Sequence, residues 1–206
     1  MAKLDQADIS IQPLVLAAIE PAARLLARSM RDNPLHRRVF GHRDVHIEPL
    51  LEGAFVAVLK AQMRTGLVLC AYRGEQLVGV VGMAAPGTCR LGWREHRALL
   101  GVLVRGRALH RLPSVLRWLW VWMRHDPRCA HWHLGPAAVV REQQGQGVGS
   151  RAMIAVCAEL DKRRAVGYLE TDKPDNVRLY RRGGFEVVAE RSVLGVTNWF
   201  MLRQPQ

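Results

Sequence analysis

Residues 144 to 150, Gln-Gly-Gln-Gly-Val-Gly-Ser, set three glycines at alternate positions. An apolar run, Leu134 to Val140, precedes them, and a stretch with helical spacing, Arg151 to Arg164, follows. So few side chains leave the backbone N–H groups bare, and a helix N-terminus adds more of them with a favourable dipole. That combination binds phosphate, and a Cβ in it would hold the phosphate off. Downstream, Asn176 and Tyr180 stand at i and i+4, which places an amide and a phenol on one helix face. Upstream, strand alternation puts His131, His133, Gly135, Ala137 and Val139 on one face.

Three phosphate motifs compete for the loop. A P-loop requires Gly-Lys-Ser/Thr at its end; here Gly149 is followed by Ser150-Arg151, so that reading falls. A dinucleotide fingerprint is nearer, because Gly145-x-Gly147-x-x-Ser150 almost fits and Glu170 ends the next strand at a suitable distance. Its glycines, however, must follow the strand directly, and four polar residues, Arg141 to Gln144, intervene. Too few strands follow the loop to complete such a domain.

The third motif carries a family resemblance. Gln144-Gly145-Gln146-Gly147-Val148-Gly149 resembles the Gln/Arg-x-x-Gly-x-Gly/Ala loop of the GCN5-related N-acetyltransferase (GNAT) family. Asn176 to Phe185 is similar to its Asn-x-x-x-Tyr-x-x-x-Gly-Phe segment, and Asn198 to Arg203 to its last strand. Arg141 departs from the pattern, standing where many members have proline. The resemblance is strong over 130–206, moderate over 10–90 and absent from 92–125.

That resemblance implies acetyl transfer from acetyl-CoA to a primary amine by direct attack. It places the pantetheine arm along strand 134–140, bonded to backbone near Val139 and Val140. The pyrophosphate would lie on N–H groups of Gln144, Gly145, Gln146, Gly147, Val148, Gly149 and Ser150, with Arg151 near the adenosine phosphates. Asn176 would contact the pantetheine or a water, and Tyr180 would line the same arm and protonate the departing thiolate. A phenol has a pKa suited to that task. Several members carry a carboxylate base six positions before the residue matching Val139; that position is His133, and a histidine of ordinary pKa deprotonates an ammonium. Glu170 is the other candidate, as base or as a ligand for the acceptor amine. The acceptor site would come from 30–42 and 92–125, where Asp32, His36, Arg37 and the tryptophans are the candidate lining. The alternative on the same fold is a non-catalytic acyl-CoA sensor, which would dispense with acid and base.

The elements that must position these groups follow from the pattern. Residues 10–15 read as a strand, 16–30 as a helix ended by Asp32-Asn33-Pro34, and 34–42 as a basic loop or short turn. A second helix spans 46–65, and 68–73 with 76–84 form a hairpin. Residues 92–125 read as two helices split at Leu112-Pro113. Then come strand 130–140, the glycine loop, helix 149–165, strand 166–171, helix 176–182 and the strands 185–190 and 197–203. This order predicts one α+β domain over 1–206, with a mixed, mostly antiparallel sheet flanked by helices. Residues 92–125 are a helical insertion between the third and fourth strands that walls the acceptor site.

Composition narrows the function further. The 206 residues are 49% hydrophobic and 23% charged, as in a globular chain. Lys+Arg number 30 against 18 Asp+Glu, a net charge of +12 that favours anionic partners such as a nucleotide. The arginines are scattered rather than striped with stacking aromatics, so no specific nucleic-acid partner is expected. The N-terminus has no apolar signal core, and arginines interrupt Leu99 to Met123, so no membrane partner is expected. The cysteines, Cys70, Cys89, Cys129 and Cys157, form no CxxC pair; this reads as a reduced, cytoplasmic protein without a metal. A monomer or homodimer is expected.

Overall fold

A computed structural model describes residues 9–89 and 92–206, and of Asp44 the backbone alone. The N-terminal signal reading falls largely on residues 1–8, outside this description. Seven strands make one sheet: β1 (Ile9–Pro13), β2 (Leu67–Arg73), β3 (Gln76–Ala84), β4 (His131–Val139), β5 (Val166–Thr171), β6 (Glu186–Val193) and β7 (Val196–Arg203). Their order is β1-β2-β3-β4-β5-β7-β6. Every neighbouring pair is antiparallel except β4 and β5. The mixed, mostly antiparallel sheet expected from the sequence is therefore the observed one.

Helices α1 (Ile19–Met30) and α3 (Asp44–Thr65) cover one face, where Leu26, Ile47 and Leu59 pack with Val68, Cys70 and Val80. Helices α6 (Val148–Lys162) and α7 (Pro174–Arg182) cover the other, where Met153, Val156, Val177 and Tyr180 pack with Leu134, Leu169 and Met201. Segment 34–42 is not a loop: Pro34–Phe40 forms helix α2. Its start is held from far along the chain, because Leu35 N–H donates to Asp172 Oδ2 at 2.8 Å. No short-range signal reveals that partner. The insertion forms α4 (Trp93–Arg105) and α5 (Leu112–His125), separated near Pro113 as the sequence indicated.

The decisive irregularity lies in β4. Val81 of β3 pairs with Ala137 and Met83 with Leu134, so β4 carries one residue more than β3 across this interval. Such a bulge shifts the alternation of side chains. The expectation that His133, Ala137 and Val139 share one face is overturned for that reason. Ala137 packs with Leu134 toward α6 and α7, whereas Ala138 packs toward α1 and α3. Beyond the bulge β4 also leaves β5: their pairing ends at Leu134 opposite Leu169, while β4 continues along β3 to Val139. A cleft opens between two strands that are neighbours only at their beginnings.

Candidate active site

The glycine loop lies at the head of this cleft. A single 3-10 turn, Arg141–Gln143, leads into it. Gly145 has φ +74° and Gly147 has φ +86°, a left-handed region that favours glycine. Gly147 caps α6, whose first helical bond runs from Arg151 N–H to the Gly147 carbonyl at 2.9 Å. The N–H groups of the first turn therefore point out of the helix end without a side-chain cap. Gln144 Nε2 donates to the Val139 carbonyl at 3.0 Å, and Gln146 bridges Arg73 and the Glu142 carbonyl, so both side chains brace the loop.

A cavity of about 690 Å³ runs from this loop down the cleft. Val139, Gly145, Gly147, Gly149 and Ser150 line its head, and Ala137, Asn176 and Tyr180 its foot. Val140, Gln146, Val148 and Arg151 are not part of that lining; Val148 is fully buried. A second cavity, about 310 Å³, lies on the other side of Tyr180. Its walls include Phe55 and Gln62 of α3, Trp118 and Trp122 of α5, and His133 and Glu170 at the sheet. Asn176 and Tyr180 line both cavities, as do Met30 and Asn33. His36 belongs to the second cavity; Asp32 and Arg37 do not, and Asp32 instead pairs with Lys173 at 3.0 Å.

Burial pushes the Tyr180 phenol up to about 12, so it stays protonated over the ordinary pH range. Asn176 Nδ2 donates to Thr171 Oγ1 at 3.2 Å, fixing the amide at the start of α7. His133 Nε2 lies 2.7 Å from Glu170 Oε2. Burial lowers the His133 imidazole, but the Glu170 carboxylate, aided by Cys89, outweighs this and lifts it to about 10. His133 therefore holds its proton at neutral pH. The aromatic wall is built edge to face: Trp118 and Trp122 centroids are 5.1 Å apart, and His36 meets Trp118 at 5.5 Å. His36 Nδ1 donates to the Met30 carbonyl at 2.8 Å, and burial keeps its pKa low, so it is a neutral wall residue. Gln62 Nε2 donates to the Gly135 carbonyl at the bulge, and its Oε1 is buried without a partner.

Gln62, Phe55 and Cys89 were beyond the reach of the sequence. They lie on a helix and a loop that carry no motif, and only the fold brings them to β4. Cys89 is 42 positions from His131, yet its Sγ is 3.7 Å from His131 Nε2. Burial would raise its thiol; hydrogen bonding with His131 and His133 instead brings it down to about 7.

A cleft between splayed parallel strands, headed by a glycine-rich helix start, is the arrangement that the resemblance led one to expect. The family model for the acetyltransferase (GNAT) family matches residues 36–185. The protein belongs to the GNAT acetyltransferase family. Its fold is similar to that of solved acetyltransferases along the whole described chain. The Corynebacterium glutamicum histone acetyltransferase HPA2 and related acetyltransferase superposes with a TM-score of 0.67 at 18% identity, covering 97% of each chain. The Salmonella typhimurium protein yncA, solved with its cofactor acetyl-CoA, gives 0.61 at 14% identity, covering 97% of this chain and 95% of the other. The Drosophila melanogaster polyamine N-acetyltransferase, which forms N-acetylagmatine, gives 0.65 at 13% identity, covering 96% of this chain and 100% of the other. Among the described residues, no helix of this GNAT protein is long and apolar enough to cross a membrane.

Proposed function

We propose that this GNAT protein transfers an acetyl group from acetyl-CoA to the primary amine of a small molecule that carries an apolar or aromatic group. The observation that carries this reading is the position of Tyr180, which lines the donor cavity on one side and the aromatic cavity on the other. In the donor cavity, the first-turn N–H groups of α6 and the bare backbone at Gly145 and Gly147 hold the pyrophosphate. The unpaired backbone edge of β4 beyond Leu134 holds the pantetheine amides, which places the thioester between Asn176 and Tyr180. Arg151, outside the cavity lining, is assigned to the adenosine phosphates from the sequence alone.

The second cavity suits an amine with an apolar body. Trp118, Trp122 and Phe55 receive the body; the Glu170 carboxylate and the unpaired Gln62 Oε1 attract the ammonium. The Drosophila neighbour's action on agmatine supports an amine acceptor, although the aromatic wall here favours a less polar one. Before attack the ammonium must lose a proton. Because His133 already holds one, Glu170 is the accepting group, and His133 orients it through the 2.7 Å contact. The amine nitrogen then bonds to the thioester carbon, the C–S bond breaks, and Tyr180 protonates the departing thiolate.

Replacing Tyr180 by Phe tests this assignment. Losing general-acid assistance lowers kcat by about 10²- to 10⁴-fold, while acetyl-CoA affinity measured by calorimetry stays near that of the native protein. Unchanged turnover would remove Tyr180 from the chemistry.

A further inference from the structure

At the far end of the aromatic cavity, four donor groups converge from three separate segments. Cys89 follows β3, Asp126 ends α5, and His131 and His133 open β4. The ligand atoms of Cys89, His131 and His133 lie within 4.8 Å of one another. His131 Nε2 is 3.7 Å from Cys89 Sγ and 3.0 Å from Asp126 Oδ1. His133 Nδ1 is 3.9 Å from the same Asp126 oxygen. Neighbouring donors around a tetrahedral zinc ion, with bonds of about 2.3 Å to sulfur and 2.0–2.1 Å to nitrogen or oxygen, stand about 3.3–3.6 Å apart.

The hydrogen bonds at the far side of each ring fix which nitrogen is offered. His131 Nδ1 is 2.8 Å from the Cys129 carbonyl, which only accepts, so Nδ1 carries the proton and Nε2 presents its lone pair to Cys89 and Asp126. His133 Nε2 faces the Glu170 carboxylate, leaving Nδ1 turned to the cluster, where a bound ion would displace the proton that this nitrogen carries in its absence. A carbonyl or carboxylate behind each imidazole is the outer shell that metal-bound histidines require. Asp126 Oδ1 is buried and has no aligned hydrogen-bond partner, despite its short distance to His131. A buried carboxylate oxygen that crowds an imidazole nitrogen without bonding it fits a common central ligand. A Cys-His-Asp nucleophile fits less well: its carboxylate would hold the nitrogen remote from sulfur, and here Cys89 and Asp126 face the same Nε2.

The geometry points to a divalent metal site of the zinc class whose core is Cys89, His131 and His133, with Asp126, which approaches both histidines, completing it. Sulfur, nitrogen and one carboxylate oxygen suit a borderline-soft ion. The ligands bracket the insertion, Cys89 before it and Asp126 after it, so the ion clips both ends of α4–α5 to the sheet. Its role is to hold the wall that carries Trp118 and Trp122. This inference rests on the donor cluster and not on the assignment of acetyl transfer.

Titration of the chelator-treated, reduced protein with Co²⁺ and Zn²⁺ tests it. The expected result is one equivalent bound, a thiolate-to-cobalt charge-transfer band, and a melting temperature raised by Zn²⁺ and lowered by chelator. Cys129→Ser, which changes an exposed cysteine nearby, keeps all three. Cys89→Ser loses the band, and His131→Gln weakens Zn²⁺ binding at least about tenfold. A native protein that binds no stoichiometric Co²⁺ or Zn²⁺ overturns the proposal, whatever the variants do. So does a band that survives in Cys89→Ser. Acetylation kinetics do not enter this test, so its failure would leave the transferase reading standing.

Discussion

Gly149 separates what the loop does for the fold from what it does for the donor. It lies in the first turn of α6 and is not among the positive-φ glycines. A Cβ built there meets Leu179 Cδ2 at 3.4 Å and Val139 Cγ2 at 3.9 Å, ordinary contact distances. The fold therefore accepts Gly149→Ala, and exchanging glycine for alanine within a helix contributes up to about 1 kcal/mol. The melting temperature without ligand should stay level or rise. The family pattern also admits alanine here, so a single methyl leaves acetyl-CoA affinity near native. Gly149, Val139 and Leu179 all line the donor cavity, however, and the longer side chain of Gly149→Leu fills space that the coenzyme needs. Overfilling a packed site costs about 1–3 kcal/mol. At 1.4 kcal/mol per tenfold, acetyl-CoA affinity falls about 5- to 150-fold. Gly145→Ala is the contrasting variant. Its Cβ meets nothing within 4 Å, but φ is +74°, so it carries left-handed strain of about 1–2 kcal/mol and melts about 2–8 °C lower. Thermal melts and calorimetric titration with acetyl-CoA read both quantities. If Gly149→Leu binds acetyl-CoA as tightly as the native protein, the cleft is not the donor site.

Other perturbations address the remaining parts. Because burial lifts Tyr180 from 10 to about 12 and its role needs the protonated form, kcat should show no alkaline fall from this group until the pH nears 12; a fall at pH 10 that vanishes in Tyr180→Phe would contradict the burial argument. Glu170→Gln should lower kcat/KM for the amine while leaving acetyl-CoA affinity intact, as steady-state rates and calorimetry will show. Trp118→Ala should raise the KM for an apolar amine about tenfold or more with little change in kcat, the pattern of lost uniform binding. Arg203 holds the Asp161 carboxyl below its usual 3.8 through bonds of 2.7 and 2.8 Å. A folded value below the unfolded one gives stability that is present above pH 3.8 and lost as the pH falls through the folded value. The melting gap between native protein and Asp161→Asn should therefore close in acid; a constant gap would show the pair contributes nothing through charge.

The donor half of the site was legible because its signals are local. Gln144 to Gly149 form one continuous turn, and Asn176 and Tyr180 are one helical turn apart. The hairpin, the two insertion helices and the β-α-β-α-β end were legible for the same reason: each pattern is complete within its own segment. What escaped depends on contacts distant in sequence. Helix α2 starts on an Asp172 side chain 137 positions away. The β4 bulge follows from its register against β3, and it reversed the expected facing of Ala137 relative to His133. His133 and Glu170 were two separate candidates in the sequence, and the parallel pairing of β4 and β5 makes them one hydrogen-bonded unit. The cysteine spacing gave no metal pattern, since the donors around Cys89 come from three segments joined only by folding.

Turnover is the plainest readout of acetyl groups passing across Tyr180 from the cleft into the aromatic cavity. Acetyl-CoA is mixed with the native protein and a panel of amines, from polyamines to aryl- and alkylamines, and thiol release and acetylated product are measured together. Stoichiometric thiol and N-acetyl product are expected, with apolar primary amines turned over ahead of polyamines. Saturable binding of acetyl-CoA with no product from any amine would contradict that transfer and leave an acyl-CoA sensor on the same fold.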